Sequence, residues 1–359
     1  MSTCLDILRI FAALAVFLGH TNFHWFFGSS SIGPQNGQDY VIIFFVLSGF
    51  VIAWSVDKKK DLSFSQYIFD RLTRLWSVVL PALLIGYVLD YFGNLLHPSS
   101  YGSILASNHT EVKFLASSLF LHESWFFSIR PGTNGPFWSL SYEFFYYMIF
   151  GSIMLLPRLE QKFLVGLAWV LLAGPKVLLL FPCWLIGWLA YLGCKSWRLH
   201  VCIALPLVLS SGIFLIYRML ERWSNWDPWS HPGLGMPPLF YSAKFLDDYV
   251  TAAAVGLWLV SIHRWFGLEK KTSGWGAHVI KQMARCSFSL YAIHFPAMAF
   301  LGALWTTGKL TDLNIFSGII AILLFSYLFA SVFEHPLRMY RQFLLQYIPI
   351  LNRKCGISC

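Results

Sequence analysis

Hydrophobic residues run through this chain in long blocks separated by shorter polar stretches. Ten blocks have the character of membrane-spanning helices, near 5–25, 40–56, 75–92, 138–156, 163–180, 182–194, 200–217, 248–266, 286–305 and 315–333. The block at 182–194 is the shortest. The pattern predicts an all-α, polytopic transmembrane helix bundle of about ten transmembrane helices. An even number of spans puts both termini on one side. No small-residue cleavage site follows the first block, so it is expected to be a retained helix rather than a signal peptide.

Composition agrees. The 359 residues are 57% hydrophobic, 18% aromatic and 12% charged, against about 25% charged in a soluble domain. With no linker, repeat or low-complexity tract, residues 1–359 are expected to form a single membrane domain. The net charge of +9 raises nucleic acid as a partner, but the distribution of charge points elsewhere. On the terminal side of the spans lie 18 Lys and Arg, on the other side 6, with Arg9 and Lys176 unassigned. The positive-inside rule therefore places both termini in the cytoplasm. The basic excess is a topology signal, with room for an anionic cytoplasmic ligand; the expected partners are the lipid bilayer and no nucleic acid. The seven cysteines show no metal-ligand spacing, and no metal is expected. The tail, CGISC, is not a prenylation box. Asn108-His109-Thr110 is a glycosylation sequon on the outer side.

Ionisable residues inside such blocks are costly and tend to mark functional paths. Arg9 and His20 share the first block. Eleven residues come to roughly 1100°, close to three full turns, so both lie on one helix face, about 16 Å apart. The alternative is an Arg that reaches the interface and a His hydrogen-bonded within the bundle. The fourth block begins NGPFWSLSYEFFYY. If it enters from the outer side at Trp138, Glu143 lies at about the depth of His20. A carboxylate and an imidazole at one depth can take a proton from a hydroxyl; they can also simply pin two helices. Ser139 either extends this polar network or is an ordinary N-terminal helix serine.

Arg71 and Arg74, in FDRLTRLWSVVLP, share a helix face. Two guanidinium forks there suit phosphate or pyrophosphate, or else anchor the cytoplasmic end of a span. Glu334 and Arg338 in EHPLR stand four apart, and Asp6 and Arg9 three apart. Ser48-Gly49 in FFVLSGF permits close approach of a helix or of a ligand chain. His294 in SLYAIHFP precedes the helix breaker Pro296, and either serves a site or satisfies a neighbouring carbonyl. Trp223, Trp226 and Trp229 in an outer loop recur every third residue, as a sugar-stacking surface or an interfacial belt.

Taken together and in this order, these motifs resemble the membrane-bound acyltransferase type 3 family over nearly the whole chain. The resemblance rests on Arg9 and His20 with ten residues between, Phe44–Phe50, Arg71-x-x-Arg74 and Trp138 to Glu143. It rests further on Ser289, Tyr291, His294 and Pro296, and on Glu334, Pro336 and Arg338. The sequence departs from the family where Ile10 follows Arg9, and where DYVII around Asp39 precedes FFVLSGF. No fused extracytoplasmic hydrolase-like domain is expected beyond Cys359.

The resemblance implies an integral protein of the bacterial cytoplasmic (inner) membrane. It implies acyl transfer from cytoplasmic acyl-CoA, acetyl-CoA by default, to a hydroxyl of a carbohydrate or glycoconjugate. His20 and Glu143 are then the catalytic candidates. Arg9, Arg71, Arg74, Ser48 and Arg338 are candidates for the acyl-CoA donor, and Trp138, Ser139, Tyr291 and His294 for the acceptor. Direct transfer is preferred to an acyl-enzyme, because no nucleophilic Ser is compelling. A proton-coupled transporter or flippase needs buried Arg, His and Glu as well, and a non-catalytic scaffold needs none of them.

Overall fold

The computed structural model describes residues 3–21, 37–59, 61–105, 109–197, 200–220, 239–266, 274–305 and 312–347, and within them all ten apolar blocks are largely helical. Among the described residues there is no strand. The aromatic loop at Trp223, Trp226 and Trp229, the sequon residue Asn108 and the cysteine-containing tail lie outside them.

The helices are α1 (Thr3–His20), α2 (Gly37–Lys58), α3 (Phe64–Leu96), α4 (Pro98–Leu105) and α5 (Thr110–Ser118), then α6 (Trp138–Leu155), α7 (Leu159–Ala173), α8 (Pro175–Leu179), α9 (Phe181–Ser196) and α10 (Val201–Leu220). They continue with α11 (Phe245–Phe266), α12 (Trp275–Trp305), α13 (Asp312–Phe329) and α14 (Leu337–Tyr347). A π turn at Ala330–Glu334 joins the last two.

Seven helical stretches are long and apolar enough to cross a membrane: Thr3–His20, Gly37–Lys58, Phe64–Leu96, Pro175–Ser196, Phe245–His263, Trp275–Trp305 and Leu313–Tyr347. The segment Cys202–Arg218 is a shorter apolar helix. The protein is thus an all-helical, multi-pass integral membrane protein. The block expected at 163–180 is divided. Gly174, at φ +79°, ends α7 and leads into α8, and that conformation suits glycine. Residues 175–180 thereby join the short block that follows and lengthen it to a spanning stretch.

The chain forms two compact units, each assembled from non-contiguous stretches. The first comprises residues 1–19, 32–60 and 174–287. Its centre is the packing of α2 on α9, with α11 against both and α10 on α11. The second comprises residues 20–31, 61–173 and 288–359. Here α3 is the spine: α4, α5, α6, the π turn and α14 all pack on it, and α7 packs on α6.

The 33 residues of α3 would extend about 50 Å, well beyond the ~30 Å hydrocarbon core. Ser63 caps its start by accepting the Gln66 N–H at 3.2 Å. Val78 and Ala82 of α3 pack with Ala292, Ile293 and Phe329 in an apolar cluster of this unit.

Candidate active site

Proline has no N–H, so Pro296 frees the carbonyl four residues before it, that of Ala292. Asn134 donates its side-chain N–H to that carbonyl at 2.8 Å. Between the two lies His294, fully buried. Its Nδ1 stands 2.9 Å from the Leu290 carbonyl oxygen and 3.0 Å from that of Tyr291. Carbonyls only accept, so Nδ1 carries the proton and Nε2 of the neutral ring is an acceptor. That Nε2 lies 3.0 Å from His20 Nδ1. His20 therefore donates from Nδ1, and its basic lone pair is on Nε2. Two backbone carbonyls of α12 thus fix the tautomer of both rings. Phe295 adds an edge-on contact to His20, with centroids 5.2 Å apart.

One turn before His294, the Tyr291 hydroxyl donates to the Pro136 carbonyl at 2.7 Å. A phenol has one proton, so at the 2.6 Å contact between the Ser139 and Tyr291 hydroxyls the serine is the donor. Ser139 and Tyr291 are buried, as is Trp138, whose ring meets Tyr142 edge-on at 5.0 Å. Four residues singled out in the sequence, His20, Ser139, Tyr291 and His294, are therefore joined by hydrogen bonds into two adjoining pairs on one turn of α12. Glu334 secures the start of that stretch by accepting from the Ser289 N–H at 3.2 Å and hydroxyl at 2.6 Å.

Glu143 has a hydrogen-bond partner one turn along its own helix. It accepts a hydrogen bond from the Tyr147 hydroxyl. The Tyr147 carbonyl in turn accepts from the Tyr67 hydroxyl at 3.2 Å, and the Arg71 guanidinium lies 5.6 Å over the Tyr67 ring. The first turn of α6 lies beside Tyr291, partway along α12, and the stretch 119–137 before it buries His122, Glu123, Thr133 and Asn134. The ring-orienting contact on His20 Nδ1 comes from His294.

Arg71 Nε is buried and has no hydrogen-bond partner among the described residues. A donor so placed suits an anionic oxygen. Arg74 and Arg338 are exposed. Arg341, which the sequence reading passed over, ties α14 to α3: it contacts Thr73 Oγ1 at 2.9 Å, the Asp70 carbonyl at 2.6 Å and the Asp70 carboxylate at 3.1 Å. The signal was there in its three-residue spacing from Arg338. Among the described residues no group of three or more His, Cys, Asp or Glu is placed to hold a metal ion.

The first unit holds the remaining candidates. Helix α1 is continuous from Thr3 to His20 and so carries Arg9 on the stripe that ends at His20. Ser48 accepts from the Trp184 indole at 3.2 Å. Asp39 is committed to Arg218, 3.1 Å away, which also forks onto both oxygens of Asp247 at 2.6 Å each.

The buried His294 and the half-buried His20 form an imidazole pair of fixed tautomer within a multi-pass helical bundle. The chain belongs to the acyltransferase type 3 family, whose acyltransferase domain matches residues 2–335. Among curated proteins it is similar to the acyltransferase MdmB of Streptomyces mycarofaciens, 27% identical over 331 residues, covering 82% of this chain and 78% of that protein. It is also similar to an O-acetyl transferase of Shigella phage Sf6, 29% identical over 178 residues, covering 46% of this chain and 49% of that protein. No solved structure matches. The chain is accordingly a membrane acyltransferase.

Proposed function

We propose that this acyltransferase takes an acyl group, acetyl by default, from cytoplasmic acyl-CoA and transfers it to a hydroxyl of a carbohydrate or glycoconjugate, in a bacterial cytoplasmic membrane. The observation that carries the chemistry is the His20–His294 contact, which places the lone pair of His20 on Nε2. The acceptor hydroxyl gives its proton to that nitrogen while its oxygen bonds to the thioester carbonyl carbon. The carbon–sulfur bond then breaks, and CoA leaves as a thiolate that takes up the proton. General-base catalysis of this kind contributes roughly 10²–10⁴-fold.

Arg71 supports an anionic donor, because its buried Nε lacks an acceptor; Arg74 and Arg338 are exposed cations that suit the same ligand. Glu143, through Tyr147, holds the helix face beside Arg71. The Tyr291 and Ser139 hydroxyls are the groups best suited to meet an acceptor hydroxyl. The acetyl default draws on the similarity to the phage O-acetyl transferase.

The test is release of CoA and transfer of label from [acetyl-labelled] acetyl-CoA by the purified protein, with mono- and oligosaccharide acceptors. Turnover by the native protein and a loss of about 10²–10⁴-fold in His20→Ala are expected. Unimpaired transfer by that variant overturns the role of His20, and solute movement without thioester consumption overturns the reaction.

A further inference from the structure

The polar residues that the chemistry does not use converge on one face of α3. Gly86 and Asp90 are one turn apart. At Gly86 a β-carbon would stand 3.4 Å from Pro296 Cγ, so the proline of α12 lies against this position. At Asp90 the carboxylate accepts twice from Thr133, from the N–H at 2.8 Å and the hydroxyl at 2.6 Å. Gly132, at φ +57°, turns the chain over the same carboxylate, and a β-carbon there would overlap an Asp90 oxygen. The residue after Thr133 is Asn134, whose amide fills the carbonyl that Pro296 left open.

We propose that Asp90 and Asn134 are positioning residues for the His20–His294 pair, acting through Thr133 and the Ala292 carbonyl. The proline break is next to His294, and without a partner for Ala292 the turn that carries His294 is free to unwind. Asp90 holds the loop 132–134 against α3, and Asn134 transmits that anchorage to α12. The same loop presents the Pro136 carbonyl to Tyr291, so one clamp sets both the imidazole tautomers and the hydroxyl pair. A carboxylate this buried, 2% exposed, that accepts two hydrogen bonds from one residue fixes a backbone position tightly.

Three variants test this. Asn134→Asp keeps shape and removes the N–H donor. Thr133→Val keeps shape and removes one bond to Asp90. Thr133→Ser keeps both bonds and serves as the conservative rescue. The readouts are kcat and donor KM with acetyl-CoA, and histidine ring nitrogen shifts in protein labelled with ¹⁵N-histidine, with His20→Gln and His294→Gln used to assign the signals.

Expected is a fall in kcat of roughly 10–100-fold in Asn134→Asp, the size of loss known where a residue that orients a metal-bound histidine is removed, and less in Thr133→Val, with donor KM little changed. The His20 and His294 ring signals should move in both, and Thr133→Ser should match the native protein. Unchanged ring signals and unchanged kcat per folded molecule in Asn134→Asp and Thr133→Val overturn the proposal, including where the yield of folded protein falls. The kinetic arm rests on the proposed function. The ring signals do not, so a native protein that fails to turn over acetyl-CoA would sink that function while the spectra still decide the positioning role.

Discussion

Gly49 and Gly187 lie where α2 and α9 approach so closely that each faces the other's backbone. A β-carbon at Gly49 would overlap the Trp184 carbonyl oxygen, and one at Gly187 would overlap that of Val46. The obstacle is main chain in both cases, so it yields only if the helices separate. Between membrane helices, tight packing of this kind supplies association that lipid cannot. Gly49→Ala and Gly187→Ala are each expected to destabilise by about 1–3 kcal/mol. The two should combine non-additively, since one separation relieves both clashes. Thermal unfolding in detergent measures this, and native midpoints in both variants would refute it. Such a result would also return FFVLSGF to the alternative of a ligand-facing glycine.

His294 serves His20 as an acceptor, and its replacements should rank by whether they can still accept. A glutamine carbonyl can take the His20 Nδ1–H, and a leucine cannot. His294→Leu is expected to lower kcat by about 10–100-fold, with His294→Gln in between. Single-turnover rates with acetyl-CoA would show the order. Equal rates in the two variants would mean that the contact at 3.0 Å does not orient the base.

The helical blocks, the long span with Pro296 and the residues His20, Tyr291 and His294 were all legible in the sequence, since apolar runs and costly buried polar groups are local properties. The His294 contact of His20 was not, because it joins residues 274 apart in the chain. Depth counting placed Glu143 level with His20, and such counting does not give the bond that Glu143 accepts from Tyr147. Nothing in the composition of residues 119–137 marks the burial of His122, Glu123, Thr133 and Asn134. Asn134 and Asp90 were illegible for a related reason: an Asn that repairs a proline break and an Asp that holds a loop are defined by contacts 158 and 43 residues away. The break at 174 could have been read from Gly174-Pro175, a helix stop followed by a helix start.

Arg71 offers a buried Nε in addition to its charge, and lysine supplies only the charge. Arg71→Lys should therefore lose the fork and keep the topology signal. A charge-assisted hydrogen bond is worth about 1.5–3 kcal/mol, so KM for acyl-CoA is expected to rise roughly 10–100-fold while kcat changes little. Arg74→Lys, at an exposed position, should shift KM much less. Steady-state kinetics with both variants checks this, and a larger effect at Arg74 than at Arg71 would reverse the assignment.

Asp39 and Arg218 form an ion pair with side chains 3% and 2% exposed. Thr251 bridges them, donating to Asp39 at 3.0 Å and standing 3.2 Å from the guanidinium. Removing Arg218 leaves the buried Asp39 carboxylate without its cation, which typically costs about 3–5 kcal/mol, whereas removing Asp39 leaves Arg218 its fork to Asp247. Arg218→Met is expected to destabilise by about 3–5 kcal/mol and Asp39→Leu by less, with the double variant below their sum. Asp247 retains some exposure, so Asp247→Asn should cost less than Arg218→Met. A double-mutant cycle on thermal stability, read beside acetyl-CoA turnover at a permissive temperature, separates structure from catalysis. Strictly additive losses at Asp39 and Arg218 would show that the pair is not coupled. Selective loss of turnover by a fully stable Asp39→Leu would instead place Asp39 in the reaction.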